Sequence, residues 1–82
     1  MIGRVYEVKK DYQSGIYIIP KGMKIKIISK NEESAGVIWD YMVKVIDPVN
    51  SFLKKGFETR IDTKSLDYNY KLIRENNTIK KL

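Results

Sequence analysis

Met23-Lys24-Ile25-Lys26-Ile27 is the stretch that decides the fold class. Apolar and charged residues alternate in it without a break. A strand sends successive side chains to opposite faces, so Met23, Ile25 and Ile27 are predicted to face a core while Lys24 and Lys26 face solvent. The same period of two recurs downstream. Val37 to Ile46 places Val37, Trp39, Tyr41, Val43 and Val45 on one face, and Phe57 to Thr63 turns Phe57 and Ile61 inward. Gly3 to Lys9 and Tyr70 to Ile73 are two shorter strand candidates.

The intervening segments predict how these strands join. Pro20-Lys21-Gly22 marks a turn just before the strand at Met23, and the polar loop Asn31 to Gly36 joins two strands as a hairpin. A hairpin centred near Glu33 sets Ile25 opposite Tyr41, Ile27 opposite Trp39, and Lys26 opposite Asp40 on the outside. For the next pair, Val45 opposite Phe57 brings Tyr41 to Ile61 and Lys44 to Glu58. Both registers match apolar with apolar and cation with anion, each pair contributing about 0.2–1 kcal/mol. The expectation is a three-stranded meander. In the connection Asp47 to Gly56, Asp47 suits an N-cap, Pro48 a first helical position and Lys54-Lys55-Gly56 a helix end. Val49, Phe52 and Leu53 would share one face of that short helix, either closing the core or forming an exposed docking surface.

Composition narrows the chemistry. The chain has 82 residues, with no Cys and no His, sixteen Lys+Arg against ten Asp+Glu, and a net charge of +6. One domain of this size buries roughly 60–65% of the surface its unfolded chain exposes. Disulfides, thiolate metal sites and a Cys nucleophile are ruled out by the missing Cys. The commonest metal ligand and neutral-pH base are ruled out by the missing His. No cofactor or metal is therefore expected. Met1 to Lys10 carries three basic residues and no apolar run, and Ile16 to Ile19 is far shorter than the ~20 residues of a membrane span, so no membrane association and a cytoplasmic location are expected. Among the cations, only Arg4, Arg60 and Arg74 are arginine. The Ile and Lys bias is what an AT-rich genome imposes, which weakens the positive charge as a sign of nucleic-acid binding.

Three segments carry a resemblance. Lys21-Gly22-Met23-Lys24-Ile25-Lys26-Ile27-Ile28 is similar to the opening of the second strand of SH3 domains. Trp39 follows a polar loop, as the SH3 tryptophan does, and Ser65-Leu66-Asp67-Tyr68-Asn69-Tyr70-Lys71-Leu72-Ile73 resembles the SH3 ending that passes through a 3₁₀ turn into the last strand. The order of a strand, a long irregular loop, a meander, a short turn and a final strand is also that of an SH3-like barrel. The expected fold is accordingly all-β: a small five-stranded SH3-like barrel over residues 1–74, with one short helix or helical turn in the loop around residues 48–55, followed by a flexible basic tail, 75–82. The family's opening motif is present only loosely, as Val5-Tyr6-Glu7-Val8 and Lys10-Asp11-Tyr12. Its acidic loop is reduced to Asp11 amid Lys9, Lys10 and Lys21, so recognition of basic proline-rich ligands is not implied.

Two functional readings follow. The resemblance implies a non-catalytic module for protein–protein interaction, with Tyr12, Tyr17, Trp39, Tyr70 and Phe52 as interface candidates, since rigid rings supply contact area at low entropy cost. The composition suits a phage or mobile-element protein that binds or inhibits a host factor; homo-oligomerisation stays open. The alternative is nucleic-acid binding through Lys24, Lys26, Arg60, Lys54 and Lys55 beside exposed rings. Against it, Asp40, Glu58 and Asp62 are expected on the same strand face, leaving the positive surplus to loops and tail. Enzymatic activity is not expected. The plasmid-borne dihydrofolate reductases are SH3-like barrels with a site built across a tetramer, but the chain lacks a match to their active-site strand.

Overall fold

A computed structural model describes residues 2–30, 40–49 and 53–74. The described residues form seven strands and one helix: β1 Val5–Val8, β2 Tyr12–Ser14, β3 Tyr17–Ile19, β4 Lys24–Lys30, β5 Tyr41–Asp47, β6 Glu58–Ile61, α1 Thr63–Asn69 and β7 Tyr70–Arg74. Five of the strands form one antiparallel sheet in the order β6-β5-β4-β1-β7, and β2 and β3 form a separate two-stranded hairpin. All-β architecture with five principal strands is therefore present. The sheet is open, with β6 and β7 at its two edges, rather than closed into a barrel.

Period-two alternation sorts the side chains as expected. Ile25, Ile27, Val43 and Val45 are fully buried, and Tyr6, Val8, Ile19, Met23, Ile61, Leu66 and Tyr70 complete the same core. The turn at Pro20-Lys21-Gly22 is closed by the Met23 amide donating to the Pro20 carbonyl at 3.2 Å, with Gly22 at φ 92°. That positive φ at the third turn position is what glycine supplies in a type II turn.

The register of β4 against β5 differs from the one expected. Ile25 lies opposite Val45 rather than Tyr41, Ile27 opposite Val43 rather than Trp39, and Lys26 opposite Lys44 rather than Asp40. Trp39 itself lies outside the described residues. The slip is an even number of positions, so every side chain keeps its face while changing its neighbour. Irregularities between Lys24 and Ile25 and between Ile27 and Ser29 accompany it. Between β5 and β6 the expected register holds, with Tyr41 opposite Ile61 and Lys44 opposite Glu58. The Val45 amide also donates to the Phe57 carbonyl at 2.8 Å. The Phe57 ring, however, is 46% exposed instead of inward, because it sits just beyond the end of an edge strand.

One consequence of the slip is a pair of like charges directly across the ladder, which costs stability. Lys26→Glu should therefore raise the unfolding free energy by about 0.2–1 kcal/mol, measurable as a higher urea midpoint with an unchanged slope. A lower midpoint would show that the Lys26 stem contributes more through packing than its charge costs.

The helix is displaced from its expected place. Asp47 does accept a hydrogen bond from the Val49 amide at 3.1 Å, as a helix cap would, but Val49 has φ 58° and leaves the right-handed region. The described residues 48, 49 and 53–56 form turns and bends, and Phe52 lies outside the description. The one helix among the described residues is instead α1. Asp62 caps it, accepting from the Ser65 amide at 2.7 Å, and Asp40 reaches across from the start of β5 to accept from both the Thr63 amide (2.8 Å) and the Thr63 hydroxyl (2.7 Å). These bonds hold the Asp40 carboxyl below its ordinary value. Leu66, wholly buried, pins the helix to the core. The expected tail, 75–82, falls outside the described residues.

Candidate functional site

Between β1 and β4 the chain makes the β2–β3 hairpin instead of an irregular loop. Gly15 (φ 65°) occupies the first central position of its two-residue turn, where a type II′ hairpin needs a positive φ. The Gln13 side chain donates to the Gly15 carbonyl at 3.0 Å, and at the base Asp11 accepts from the Lys21 amide at 2.7 Å. The hairpin is anchored to the main sheet by two groups that share a register position, Tyr12 and Ile19. Ile19 is part of the core; Tyr12 packs edge-on against Tyr70, ring centres 5.8 Å apart at 72°, with the two hydroxyls hydrogen-bonded at 2.6 Å.

Tyr12 and Tyr70, expected as interface rings, are thus joined to each other and built into the wall of a cleft. Tyr70 is buried and Tyr12 half-buried, so neither is a freely exposed ring. Burial pushes both phenols above their ordinary value, for Tyr12 against the opposing effect of the bond to Tyr70. For Tyr70, repulsion from an ionised Tyr12 and the bond between them act in the same direction as burial. A folded-state value raised above the unfolded one contributes stability below pH 10.0 and loses it as pH rises beyond that point. Tyr12→Phe/Tyr70→Phe should accordingly flatten the alkaline fall in stability, read by urea unfolding across that range. An unchanged fall would place the alkaline sensitivity elsewhere.

The cleft has two connected compartments. The inner one, about 230 Å³, reaches the core side chains Ile25, Val43 and Val45 and is bordered by Arg60, Asp62 and Ser65 at the β6–α1 junction. The outer one, about 540 Å³, lies between the hairpin and β6, lined by Ile16, Tyr17, Leu53 and Phe57. Ser14, Ile19, Leu53 and Thr59 border both. Its rim is unusually apolar for solvent-facing surface: Ile16 is 84% exposed, and Tyr17 and Phe57 about half. A third hollow of about 310 Å³ is lined by Tyr12, Lys9, Lys10 and the exposed Tyr68.

The interface candidates therefore divide. Tyr17 lies on the outer compartment, Tyr12 and Tyr70 on the inner one, and Trp39 and Phe52 fall outside the described residues. Ile16 and Phe57 join the surface without having been named as interface candidates from sequence. Of the basic candidates, Lys24 pairs with Asp47 at 3.7 Å, Arg60 borders the inner cleft, Lys54 and Lys55 are exposed in the turn before Gly56, and Lys26 is exposed on the sheet. The sequence places Asp40 opposite Lys26 and Asp62 on the same strand face; both instead serve the N-terminus of α1. No group of three or more potential metal ligands occurs among the described residues, and no helix among them is long and apolar enough to cross a membrane.

Comparison with known proteins finds no matching family model, no matching curated protein and no matching solved structure.

Proposed function

We propose that this chain is a non-catalytic SH3-like binding module that acts by protein–protein interaction through the cleft between the β2–β3 hairpin and β6. The observation that carries the reading is the cluster of exposed Ile16, Tyr17 and Phe57 around a 540 Å³ hollow. Contiguous apolar surface on a domain with so little core to spare is stabilised by a partner that covers it. The SH3-like assignment is supported by element order: a strand, an excursion, a three-stranded meander, a helical turn and a final strand beside the first. The excursion corresponds to the β2–β3 hairpin, and the ring pair Tyr12–Tyr70 on the cleft wall supports reading these two residues as groove aromatics. Asp11 is engaged with the Lys21 amide, which agrees with a ligand other than a basic proline-rich peptide.

The Ile- and Lys-biased composition favours a phage or mobile-element origin and a cytoplasmic host factor as the partner. Affinity capture from lysate with and without nuclease tests the reading. A protein retained after nuclease treatment is the expected result; recovery of nucleic acid alone would overturn it.

A further inference from the structure

The opposite face of the same sheet carries a charge arrangement that the cleft does not use. Because side chains alternate, the strands that send Ile25, Val43 and Val45 into the core send Lys24, Lys26 and Lys44 outward. Two cross-strand rows can be read from the registers. In the first, Asp47, Lys24, Glu7 and Lys71 follow one another across β5, β4, β1 and β7, with strictly alternating sign, and Lys24 lies 3.7 Å from Asp47. This row neutralises itself. The second runs Glu58, Lys44, Lys26, Val5 from β6 to β1 and, across a register irregularity between Val5 and Tyr6, reaches Arg74 on β7, three cations against one anion. Lys26 and Lys44 are direct neighbours, neither has an ion pair within 4.0 Å among the described residues, and the acids Asp40 and Asp62 are occupied at the helix.

We infer that this second row, centred on Lys26 and Lys44 and ending at Arg74, is a binding face for a nucleic-acid phosphate backbone. A like-charge pair across a ladder is unfavourable in isolation and becomes favourable when anions bridge it. The row carries no ring among its described residues, and Val5 is buried, so it offers neither a stacking platform nor the apolar anchor an acidic protein segment would need. Lysine ammonium groups suit phosphates as point charges and do not read base edges in a forked geometry. Binding should accordingly be independent of base sequence and driven by counterion release. This face is independent of the cleft proposed for protein binding.

The test is fluorescence anisotropy of labelled oligo(dT) titrated with the full chain over a range of salt concentrations. With three cations engaged, log K should fall against log salt with a slope of about −2. Lys26→Gln/Lys44→Gln should bring the slope to about −0.7 and weaken binding at low salt, while retaining the wild-type circular dichroism and melting at or above the wild-type temperature. Lys54→Gln/Lys55→Gln and the cleft variant Ile16→Lys/Phe57→Lys should leave the oligo(dT) slope at or beyond the wild-type value. No binding at low salt, a slope unaffected by the Lys26/Lys44 change, or a slope lost instead with Lys54 and Lys55 would overturn the inference. So would polyglutamate competing as well as oligo(dT) at matched charge, which would assign the face to acidic protein.

Discussion

Tyr70→Ala should remove about 3–5 kcal/mol of stability, a large share of the roughly 4–12 kcal/mol expected of a domain of this size. Three roles converge on this residue. Its backbone opens β7 opposite Val8, as the C-cap of α1 its amide donates to the Leu66 carbonyl, and its buried ring stands edge-on to Tyr12 while its hydroxyl holds the Tyr12 hydroxyl at 2.6 Å. Truncation at Cβ leaves the backbone roles intact but opens a void beside the inner cleft and frees the anchor of the hairpin. Tyr70→Phe separates these contributions. It keeps the ring and removes one hydrogen bond, so about 0.5–1.5 kcal/mol should be lost. Urea unfolding of both variants gives the comparison, and hydrogen exchange at the Tyr12 and Ile19 amides should show the hairpin loosening in the alanine variant before the main sheet opens. An alanine variant within 1 kcal/mol of wild type would mean that the hairpin is held by something other than this ring.

Ile16→Lys/Phe57→Lys should abolish capture of the protein partner while leaving the fold intact. Ile16 is almost fully exposed and Phe57 about half, so lysine at either position disturbs little of the core. Burying two ammonium groups in an apolar contact, by contrast, costs several kcal/mol of desolvation, which corresponds to a loss of affinity of two orders of magnitude or more. Circular dichroism and the urea midpoint establish that the variant is folded. Undiminished capture by a folded variant would move the interface away from this cleft.

How far the fold could be read from sequence follows from which physical rule each feature obeys. Met23 to Ile27 and Val43 to Val45 alternate cleanly, so their faces were legible, and the β5–β6 register followed from matching Tyr41 with Ile61 and Lys44 with Glu58. The β4–β5 register was not. A slip of four residues along β5, from Tyr41 to Val45 opposite Ile25, preserves every apolar face, so hydrophobic pattern cannot distinguish the two alignments. Only the charges differ, and there the actual pairing of Lys26 with Lys44 is the less favourable one locally. The helix was misplaced because Asp47-Pro48 is a strong starting signal that Val49's left-handed backbone defeats. Asp62-Thr63-Lys64-Ser65 was an equally good cap, and Leu66, supplying the core contact, distinguishes the helix that forms.

The candidate site was legible in its rings and not in its aliphatic residues. Tyr12, Tyr17 and Tyr70 could be singled out by residue type alone. The run Ile16 to Ile19 after Gly15 carried a usable signal, since apolar residues flanking a two-residue turn mark a hairpin, but Ile16 occupies the turn itself, where strand alternation assigns no face, so its place on the cleft was not legible. Phe57 was expected inward because its neighbours alternate; its exposure depends on the sheet remaining open at β6, which is a property of the assembled strands.

Site-specific photocrosslinking tests the central claim most directly. A photoreactive phenylalanine analogue placed at Tyr17, on the cleft rim, is compared with the same group at Lys44, on the opposite face of the sheet, in nuclease-treated lysate. A discrete protein adduct from position 17 and none from position 44 is the result expected of a protein-binding cleft. An adduct from position 44 alone, or none from position 17, would contradict it.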